Sequence, residues 1–415
     1  MARRTRPRIA MWKQFNNLAY RIFFAYRNRK SRSRSRRWAV RAARAVEAGP
    51  RPVLYLAWGR VGDVVLSTGH LKWLRRWFHP SPVWFLGRSS VKPIVEPHVD
   101  VFLPFPEPFE RYTGFGNVPA ASLGRLANRS FRYLITDIHT FYGGLFTLDA
   151  LLASARAERK FVYEGYHLGK DLAPERPYPA GFEIVPKYVD RENRDTDFAG
   201  GHMLTHNGHY IRQVLERCGV EPDDGAQWRP DLGHVGGGTE ECRQLGIEPG
   251  EFVAWQPTSA NRRKDYPLSC WAETIRAFPD RRFVALVEPG AAAGLDQAAL
   301  PGVRVVETGL TVAMKLIREA RMFVGLDSGL SHISTVLGTT TVCVCPDSHL
   351  GYFFPYPDDY GFTNLCTVAH PDYLSCRGCF MTCEHEPLTS TNSRGALCLR
   401  TLPPRQVIDA IKAAL

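Results

Sequence analysis

The stretch VGLDSGLSH, residues 324–332, places an acid, a serine, a glycine and a histidine within a few positions between two apolar segments. An apolar strand that ends in Asp-Ser-Gly and turns directly into a helix leaves the first backbone N–H groups of that helix without partners. Such N–H groups bind anions. The stretch therefore predicts an anion site with Ser328, Gly329 and His332 as candidate contacts.

Similar turns follow other apolar segments. The segment 52–58, PVLYLAW, is followed by GRVGD at 59–63, and polar residues also follow apolar runs at 137–139, 257–264 and 288. Ligands in open parallel sheets bind outside the carboxyl ends of the strands. We therefore expect these turns to lie at the ligand-binding edges of parallel sheets.

The elements that must position these residues alternate along the chain. Strand-length apolar segments occur at 52–58, 83–87, 99–105 and 133–139, and again at 252–257, 282–289, 303–309, 322–327 and 340–346. Helical periodicity fills the intervals, for example at 268–278 and 312–320. This alternation predicts an α/β protein with two doubly wound domains that face each other across a cleft. The predicted units are an arm at 1–50, domains at 51–240 and 241–402, and a last helix at 403–415.

The positive charge is concentrated in the arm. Residues 1–50 carry 15 Lys and Arg and one acid, a net charge of +14. Because the whole chain has a net charge of +12, residues 51–415 carry −2. Within the arm, aromatic and aliphatic residues recur at helical spacing among basic ones, which suits an anionic membrane surface bound through residues 1–45. The alternative is a disordered solvating or RNA-attracting arm; we expect no specific nucleic-acid partner. No apolar run is long enough to span a bilayer and no secretory signal is visible, so a cytoplasmic location, peripheral on the membrane, is expected.

Several catalytic motifs are missing from the sequence. It contains no GxxxxGK[ST] phosphate loop, no full GxGxxG after the first strand and no GxSxG nucleophile elbow. Ser328 and His332 are spaced to meet on one helix face, but Ser-His catalysis also requires an orienting acid and an oxyanion hole. A hydrolase is therefore disfavoured.

Two segments carry a family resemblance. GRVGDVVLSTGHLKWLRRWF, from Gly59, resembles the first strand-to-helix turn of the heptosyltransferases, glycosyltransferase family 9, and FVGLDSGLSHISTVLGTTTVCV, from Phe323, is similar to that family's carboxyl-domain signature. The resemblance implies a GT-B fold of two Rossmann-like domains, with the acceptor on the first and a nucleotide-sugar donor on the second. It also implies inverting sugar transfer that requires no cofactor.

Asp63 matches the acid of the family's Gly-Asp pair, which makes it the candidate general base for an acceptor hydroxyl. Position alone favours another role, since an acid at the start of a helix also caps it. Replacement by Asn would retain the cap and remove the base, which separates the two interpretations.

The donor site would bind a leaving nucleoside diphosphate. Backbone groups at Ser328 and Gly329 would contact the diphosphate, with His332 reaching a phosphate or the sugar; the alternative is a helix-capping serine and a core histidine. The resemblance adds Lys264 as a cation on the diphosphate, although such a residue is otherwise an ordinary surface lysine. Thr258 and Ser259 would add hydroxyl donors from the turn that precedes it.

Two acids complete the predicted donor site. Asp327 would contact a sugar hydroxyl or backbone N–H groups, and Glu288 lies where the family has an acid on the ribose. The chain departs from the family at Thr258, where Gly is usual, and at Cys345. ADP-heptose is the donor that the resemblance implies.

The carboxyl-terminal tail contains a cysteine cluster. Its spacing, C-x₂-C-x₃-C-x₁₄-C, is formed by Cys376, Cys379, Cys383 and Cys398, and is compatible with a structural Zn²⁺. Buried core thiols are the alternative. By resemblance, the last helix would return to pack near the amino-terminal domain.

Together these features predict a metal-independent glycosyltransferase that moves a sugar to a lipid-linked glycan such as the lipopolysaccharide core. The alternative is a catalytically inactive nucleotide-binding or scaffold protein with the same fold.

Overall fold

A computed structural model of the chain describes residues 50–105, 126, 129–138, 155–164, 181–188, 201–222, 228–292, 295, 300, 302–370 and 395–415. The amino-terminal arm, and with it the predicted membrane contact, lies outside the described residues. None of the helices in these ranges combines the length and the apolar composition that a membrane crossing requires.

The first sheet has six parallel strands in the order β3-β2-β1-β4-β5-β6. The strands are β1 (Val53–Leu56), β2 (Val83–Gly87), β3 (Val101–Pro104), β4 (Ser130–Thr136), β5 (Arg156–Tyr163) and β6 (Glu183–Val185). β1 and β2 are buried throughout, as expected of central parallel strands covered on both faces. The strand order reverses direction between β1 and β4, which is where a parallel sheet forms a ligand-binding crevice.

The second sheet repeats this arrangement with six parallel strands in the order β12-β11-β10-β7-β8-β9. The strands are β7 (Phe252–Trp255), β8 (Arg282–Val287), β9 (Arg304–Glu307), β10 (Met322–Leu326), β11 (Thr341–Val344) and β12 (Leu365–Val368). Its direction reverses between β7 and β10. Each sheet has the strand order of a dinucleotide-binding domain, which confirms the prediction of two Rossmann-like units.

The described helices cover the faces of these sheets. They are α1 (Val61–Trp77), α2 (Lys92–Val95), α3 (Met203–Arg217), α4 (Thr239–Gln244), α5 (Leu268–Arg276), α6 (Leu310–Glu319), α7 (Gly329–Leu337), α8 (Leu397–Arg400) and α9 (Pro404–Ala414). α1 is the longest of them, and most of its apolar residues, among them Val64, Leu71 and Leu74, are almost fully buried. Burial of each such leucine contributes about 1.5–3 kcal/mol.

The two sheets share one hydrophobic cluster. It contains Phe85 and Tyr133 from the first sheet and Phe252 and Val284 from the second, joined through side chains of α1, α3, α6 and α7. The opposite faces of the sheets have separate clusters. The two sheets are thus held together by packed apolar side chains.

A connecting segment, residues 228–238, runs from one domain to the other and is bonded to both. The Asp231 N–H donates to Oγ1 of Thr68 in α1 over 2.9 Å. The Gly238 N–H donates to Oε1 of Glu319 in α6 over 2.8 Å. The segment is therefore attached at each end.

The end of the chain differs from the prediction. α9 packs on α5 and on the strands β11 and β12 of the second sheet, where Val407 and Ile411 are fully buried. The expectation that it would pack near the amino-terminal domain was wrong, because its apolar face matches the outer face of the second sheet. The predicted boundary at residue 240 falls within α4.

Candidate functional site

The predicted turns lie at the points where the two sheets reverse direction. Residues 59–63 follow β1 and Asp137 follows β4, while residues 256–259 follow β7 and Asp327 follows β10. α1 begins directly after the first turn and α7 directly after the last. Two helix N-termini, one from each domain, are thus directed at the crevices.

Asp63 lies in the first turn of α1 and is half-buried. Its Oδ2 accepts a hydrogen bond from the backbone N–H of Arg60 over 2.7 Å, so the acid does stabilise the helix start. The neighbouring Gly59 N–H donates to Oδ2 of Asp137 over 3.0 Å. A Cβ at Gly59 would lie 2.7 Å from the Cβ of Asp63, which explains why the turn requires glycine there.

Ser328 is the N-cap residue of α7, but its side chain makes no capping hydrogen bond. Its hydroxyl donates to Oε1 of Gln256, which lies just after β7. Among the described residues, no hydrogen bond reaches the backbone N–H groups of Gly329, Leu330 and Ser331. These groups and the positive end of the helix dipole make the first turn of α7 an anion-binding surface.

The N-termini of α1 and α7 are in contact. A Cβ at Gly329 would lie 2.7 Å from Cγ1 of Val61 and 3.3 Å from the Gly62 nitrogen. A Cβ at Gly62 would lie 2.7 Å from Cδ2 of His332. His332 is therefore placed between the two domains, beside the helix turn that carries Asp63.

His332 is held by aromatic residues of the segment after β11. Its Nδ1 shares a hydrogen bond of 2.7 Å with the Tyr356 hydroxyl, and its ring stacks on Phe354 with centroids 4.4 Å apart. Burial lowers the pKa of His332 to about 4, against the opposing effect of the Asp327 and Asp63 carboxylates. The imidazole is therefore neutral at physiological pH.

Lys264, Asp327 and His349 form a buried cluster beside the N-terminus of α7. The Lys264 ammonium donates to Oδ2 of Asp327 over 3.1 Å and to its backbone carbonyl over 2.9 Å. The same Oδ2 accepts from Nδ1 of His349. Asp327 is only 1% exposed, so its carboxylate depends on these two partners.

The electrostatics of this cluster follow from its burial and pairing. Burial raises the pKa of the Asp327 carboxyl, but Lys264 and His349 outweigh that effect and hold the pKa well below its usual range. Burial, followed by the Lys264 charge, lowers the pKa of His349. The cluster thus consists of an ammonium, a carboxylate and a neutral imidazole whose Nδ1 carries the hydrogen.

The remaining predicted donor residues lie on the same edge but differ in their contacts. Ser259 donates its hydroxyl to the Asn261 carbonyl over 2.6 Å, so this hydroxyl is used within its own turn. Thr258 is exposed after β7, and Glu288 is exposed at the end of β8. The structure therefore brings Lys264, Asp327 and the start of α7 into one cluster, with Thr258 and Glu288 at the exposed ends of adjacent strands.

One of the four predicted zinc ligands lies in the described part of the chain. Cys376, Cys379 and Cys383 lie outside the described residues, whereas Cys398 is buried in α8. Within the described ranges, no group of three or more His, Cys, Asp or Glu side chains is arranged to hold a metal ion.

Sequence reasoning missed three residues of the site: Gln256, His349 and Tyr356. Gln256 ends the apolar segment 252–257, and its position at a strand end was the available signal. His349 and Tyr356 follow β11 at a distance, in a segment without a helix start, and no pattern pointed to them.

Comparisons with known proteins agree with this geometry. Residues 237–372 match the model of glycosyltransferase family 9 (heptosyltransferase). These residues include β7 to β12, Lys264 and the whole of α7. A search of the curated proteins gave no match.

Solved structures of three proteins are similar to nearly the whole chain. The ADP-heptose lipopolysaccharide heptosyltransferase II of E. coli has a TM-score of 0.56 and 14% identity, covering 88% of this chain and 98% of its own. A family 9 glycosyltransferase of Veillonella parvula has a TM-score of 0.59 and 15% identity, covering 89% and 99%. The E. coli heptosyltransferase WaaC, solved with ADP-2-deoxy-2-fluoro heptose, has a TM-score of 0.57 and 14% identity, covering 88% and 100%. The fold is therefore GT-B.

Proposed function

We propose that this chain transfers heptose from ADP-heptose to a hydroxyl of a lipid-linked glycan, because residues 237–372 match the model of glycosyltransferase family 9. The reaction would invert the anomeric centre and require no metal. The acceptor we favour is the lipopolysaccharide core, assembled at the cytoplasmic face of the membrane.

The observation that carries this proposal is the contact between the N-termini of α1 and α7. In this contact the first turn of α7, whose backbone N–H groups are suited to an anion, lies beside the turn of the other domain that carries the Asp63 carboxylate. Sugar transfer requires both in one place, because a diphosphate must leave while an acceptor hydroxyl loses its proton.

The donor half rests on α7 and Lys264. The N–H groups of Gly329, Leu330 and Ser331 would bind the diphosphate oxygens, and the Lys264 ammonium would balance part of their charge. The Lys264 side chain is 19% exposed, so a ligand in the crevice could contact its ammonium. Thr258 would add a hydroxyl donor, and Glu288 would accept from the ribose hydroxyls.

The acceptor half rests on Asp63. Its carboxylate would remove the proton of the acceptor hydroxyl as the oxygen attacks the anomeric carbon. The bond from that carbon to the diphosphate oxygen breaks, and the electron pair leaves with the nucleoside diphosphate. The bond between Asp63 and the Arg60 N–H would fix the carboxylate for this role.

ADP-heptose is proposed from the similar structures, since WaaC was solved with ADP and with an ADP-heptose analogue. The lipid-linked acceptor is proposed from the arm, whose charge of +14 suits an anionic membrane surface.

Titration calorimetry tests the proposal. ADP, GDP, UDP and dTDP would be titrated into the protein in the presence of EDTA, and then into Lys264→Ala and the exposed control Lys412→Ala. We expect selective binding of ADP that is weakened about tenfold or more in Lys264→Ala and unchanged in the control. Absence of binding in EDTA would contradict a metal-independent donor site.

A catalytically inactive nucleotide-binding or scaffold protein is the second candidate. It would bind the same diphosphate, yet form no glycosidic product with any acceptor. Donor turnover measured alongside binding separates the two.

A further inference from the structure

No sequence motif pointed to His349, yet it belongs to the cluster that it forms with Asp327 and Lys264, here called the donor cluster. It lies five residues after Val344, the end of β11, and contacts the Asp327 carboxylate, which in turn contacts the Lys264 ammonium. We propose that His349 is a positioning residue, which fixes the Lys264 ammonium for diphosphate binding by holding the Asp327 carboxylate between them. This inference rests on the donor role proposed for Lys264.

The first support for this proposal is that one oxygen of Asp327 contacts both His349 and Lys264. The same oxygen, Oδ2, accepts both from Nδ1 of His349 and from the Lys264 ammonium, 3.1 Å away. Lys264 also contacts the backbone carbonyl of Asp327, a residue that directly follows β10 and whose N–H donates to the Val344 carbonyl of β11. A rotation of the carboxylate would therefore remove one of the two hydrogen bonds that the ammonium makes to Asp327.

Burial carries the second step. Asp327 and His349 are 1% and 4% exposed, so water cannot replace a lost hydrogen bond at the carboxylate. His349 is further fixed by an edge-to-face contact with Phe353, whose centroid is 5.3 Å away. The contacts from His349 to Asp327 and from Asp327 to Lys264 thus link the position of the buried, neutral ring to that of the ammonium.

Charge carries the third step. A diphosphate at the N-terminus of α7 attracts the Lys264 ammonium, whereas Asp327 holds it back. A neutral His349 donates a hydrogen bond to the carboxylate and weakens its attraction for Lys264 without adding a second positive charge. Without His349, the ammonium would be drawn toward a carboxylate with only one partner, and diphosphate affinity would fall.

Three substitutions at His349 distinguish positioning from packing. His349→Asn places an amide donor near the original Nδ1, His349→Gln moves that donor outward, and His349→Leu removes it. His70→Leu is the matched control, because His70 is equally buried and bonded, to Tyr55, but lies in α1 away from the donor cluster.

The experiment is calorimetric titration of ADP with thermal unfolding measured on each variant. We expect the dissociation constant to rise about tenfold in His349→Leu, less in His349→Gln, and to stay within about twofold of wild type in His349→Asn. His70→Leu should lower the unfolding temperature without changing the affinity. If His349→Leu does not fold, the comparison of Gln with Asn gives the same test.

A double-mutant cycle with Lys264→Ala supplies the decisive readout. If His349 acts through Lys264, adding His349→Leu to Lys264→Ala weakens ADP binding no further. Additive losses would overturn the proposal, and so would an unchanged affinity in His349→Leu. If Lys264→Ala alone left the affinity unchanged, the donor role of Lys264 would fail instead, which keeps the two failures distinguishable.

Discussion

Gly62 and Gly329 bring the two domains into direct contact: a Cβ on Gly329 would come within 3.3 Å of the Gly62 nitrogen. No other residue type fits this contact without displacement of its neighbours. The contact joins the first turn of α1 to the first turn of α7, so the proposed base and the proposed diphosphate site depend on the same pair of glycines.

Substitution of Gly329 tests this contact. Gly329→Ala would force its new methyl group against Val61, 2.7 Å away, and separate the two helix turns. We expect kcat to fall about tenfold or more, since displacement of a catalytic group by about 1 Å can cost 100-fold. Steady-state kinetics with saturating donor and acceptor would measure it.

Gly208→Ala is the matched control. Gly208 lies within α3, and a Cβ there would meet no atom within 4 Å. This variant should retain full activity and gain up to about 1 kcal/mol of stability from the higher helix propensity of alanine. Equal activity in both variants would show that the close contact has no catalytic role.

Substitution of Asp63 tests the proposed base. Asp63→Asn retains an oxygen that accepts from the Arg60 N–H, but it cannot take a proton. We expect kcat to fall about 100- to 10,000-fold while the unfolding temperature stays nearly constant. Glu96→Gln, at an exposed salt bridge, serves as the control. An active Asp63→Asn would leave Asp63 only its role at the helix start.

Stability should fall in acid because of buried histidines. Burial lowers the pKa of His70 and of His202 to about 3 and that of His332 to about 4, whereas their unfolded values are near 6.5. As the pH falls below 6.5, the unfolded chain binds protons that the folded chain does not. Each histidine therefore removes about 1.4 kcal/mol of stability per pH unit until its folded pKa is reached.

Urea unfolding at pH 7.5, 6 and 5 measures this slope. His70→Gln retains a polar partner for the Tyr55 hydroxyl but does not titrate, so its stability should vary less with pH than that of the wild type. A variant with the same slope as the wild type would exclude His70 as a source of the acid sensitivity.

Deletion of residues 1–45 tests the arm. The shortened protein should lose binding to vesicles that contain anionic lipid and retain sugar transfer to a soluble acceptor, because the arm carries all of the chain's net positive charge. Vesicle co-sedimentation and a transfer assay measure the two effects, with neutral vesicles and RNA as comparison ligands. Unchanged vesicle binding would contradict the membrane role, and loss of RNA binding alone would favour the other interpretation of the arm.

The sequence predicted the central strands better than the outer ones. β1, β2, β7 and β10 are continuous apolar runs, and such runs are typical of strands covered on both faces. β5, RAERKFVY, begins with charged residues and was not predicted, because Arg159 is paired with Glu183 of β6 only in the folded sheet. α3 was also missed, since its apolar face is interrupted by histidine, asparagine and glycine.

The sequence predicted which turns form the site, but not the contacts between the side chains of different turns. Asp63, Lys264 and Asp327 follow strands, so their place at the sheet edges could be inferred from chain order. The pairing of Asp327 with Lys264 and His349, and the approach of Gly62 to His332, join residues that are distant in sequence. Local pattern contains no information on such tertiary contacts.

The connecting segment at 228–238 also constrains how the two domains can move. Because it is bonded to α1 at Thr68 and to α6 at Glu319, the segment limits how far those two helices can separate while both bonds persist. Substrate entry is then expected to proceed by rotation about this segment as a pivot. The crevice would open widest at the sheet edges farthest from the pivot, so a substrate is expected to enter from that side.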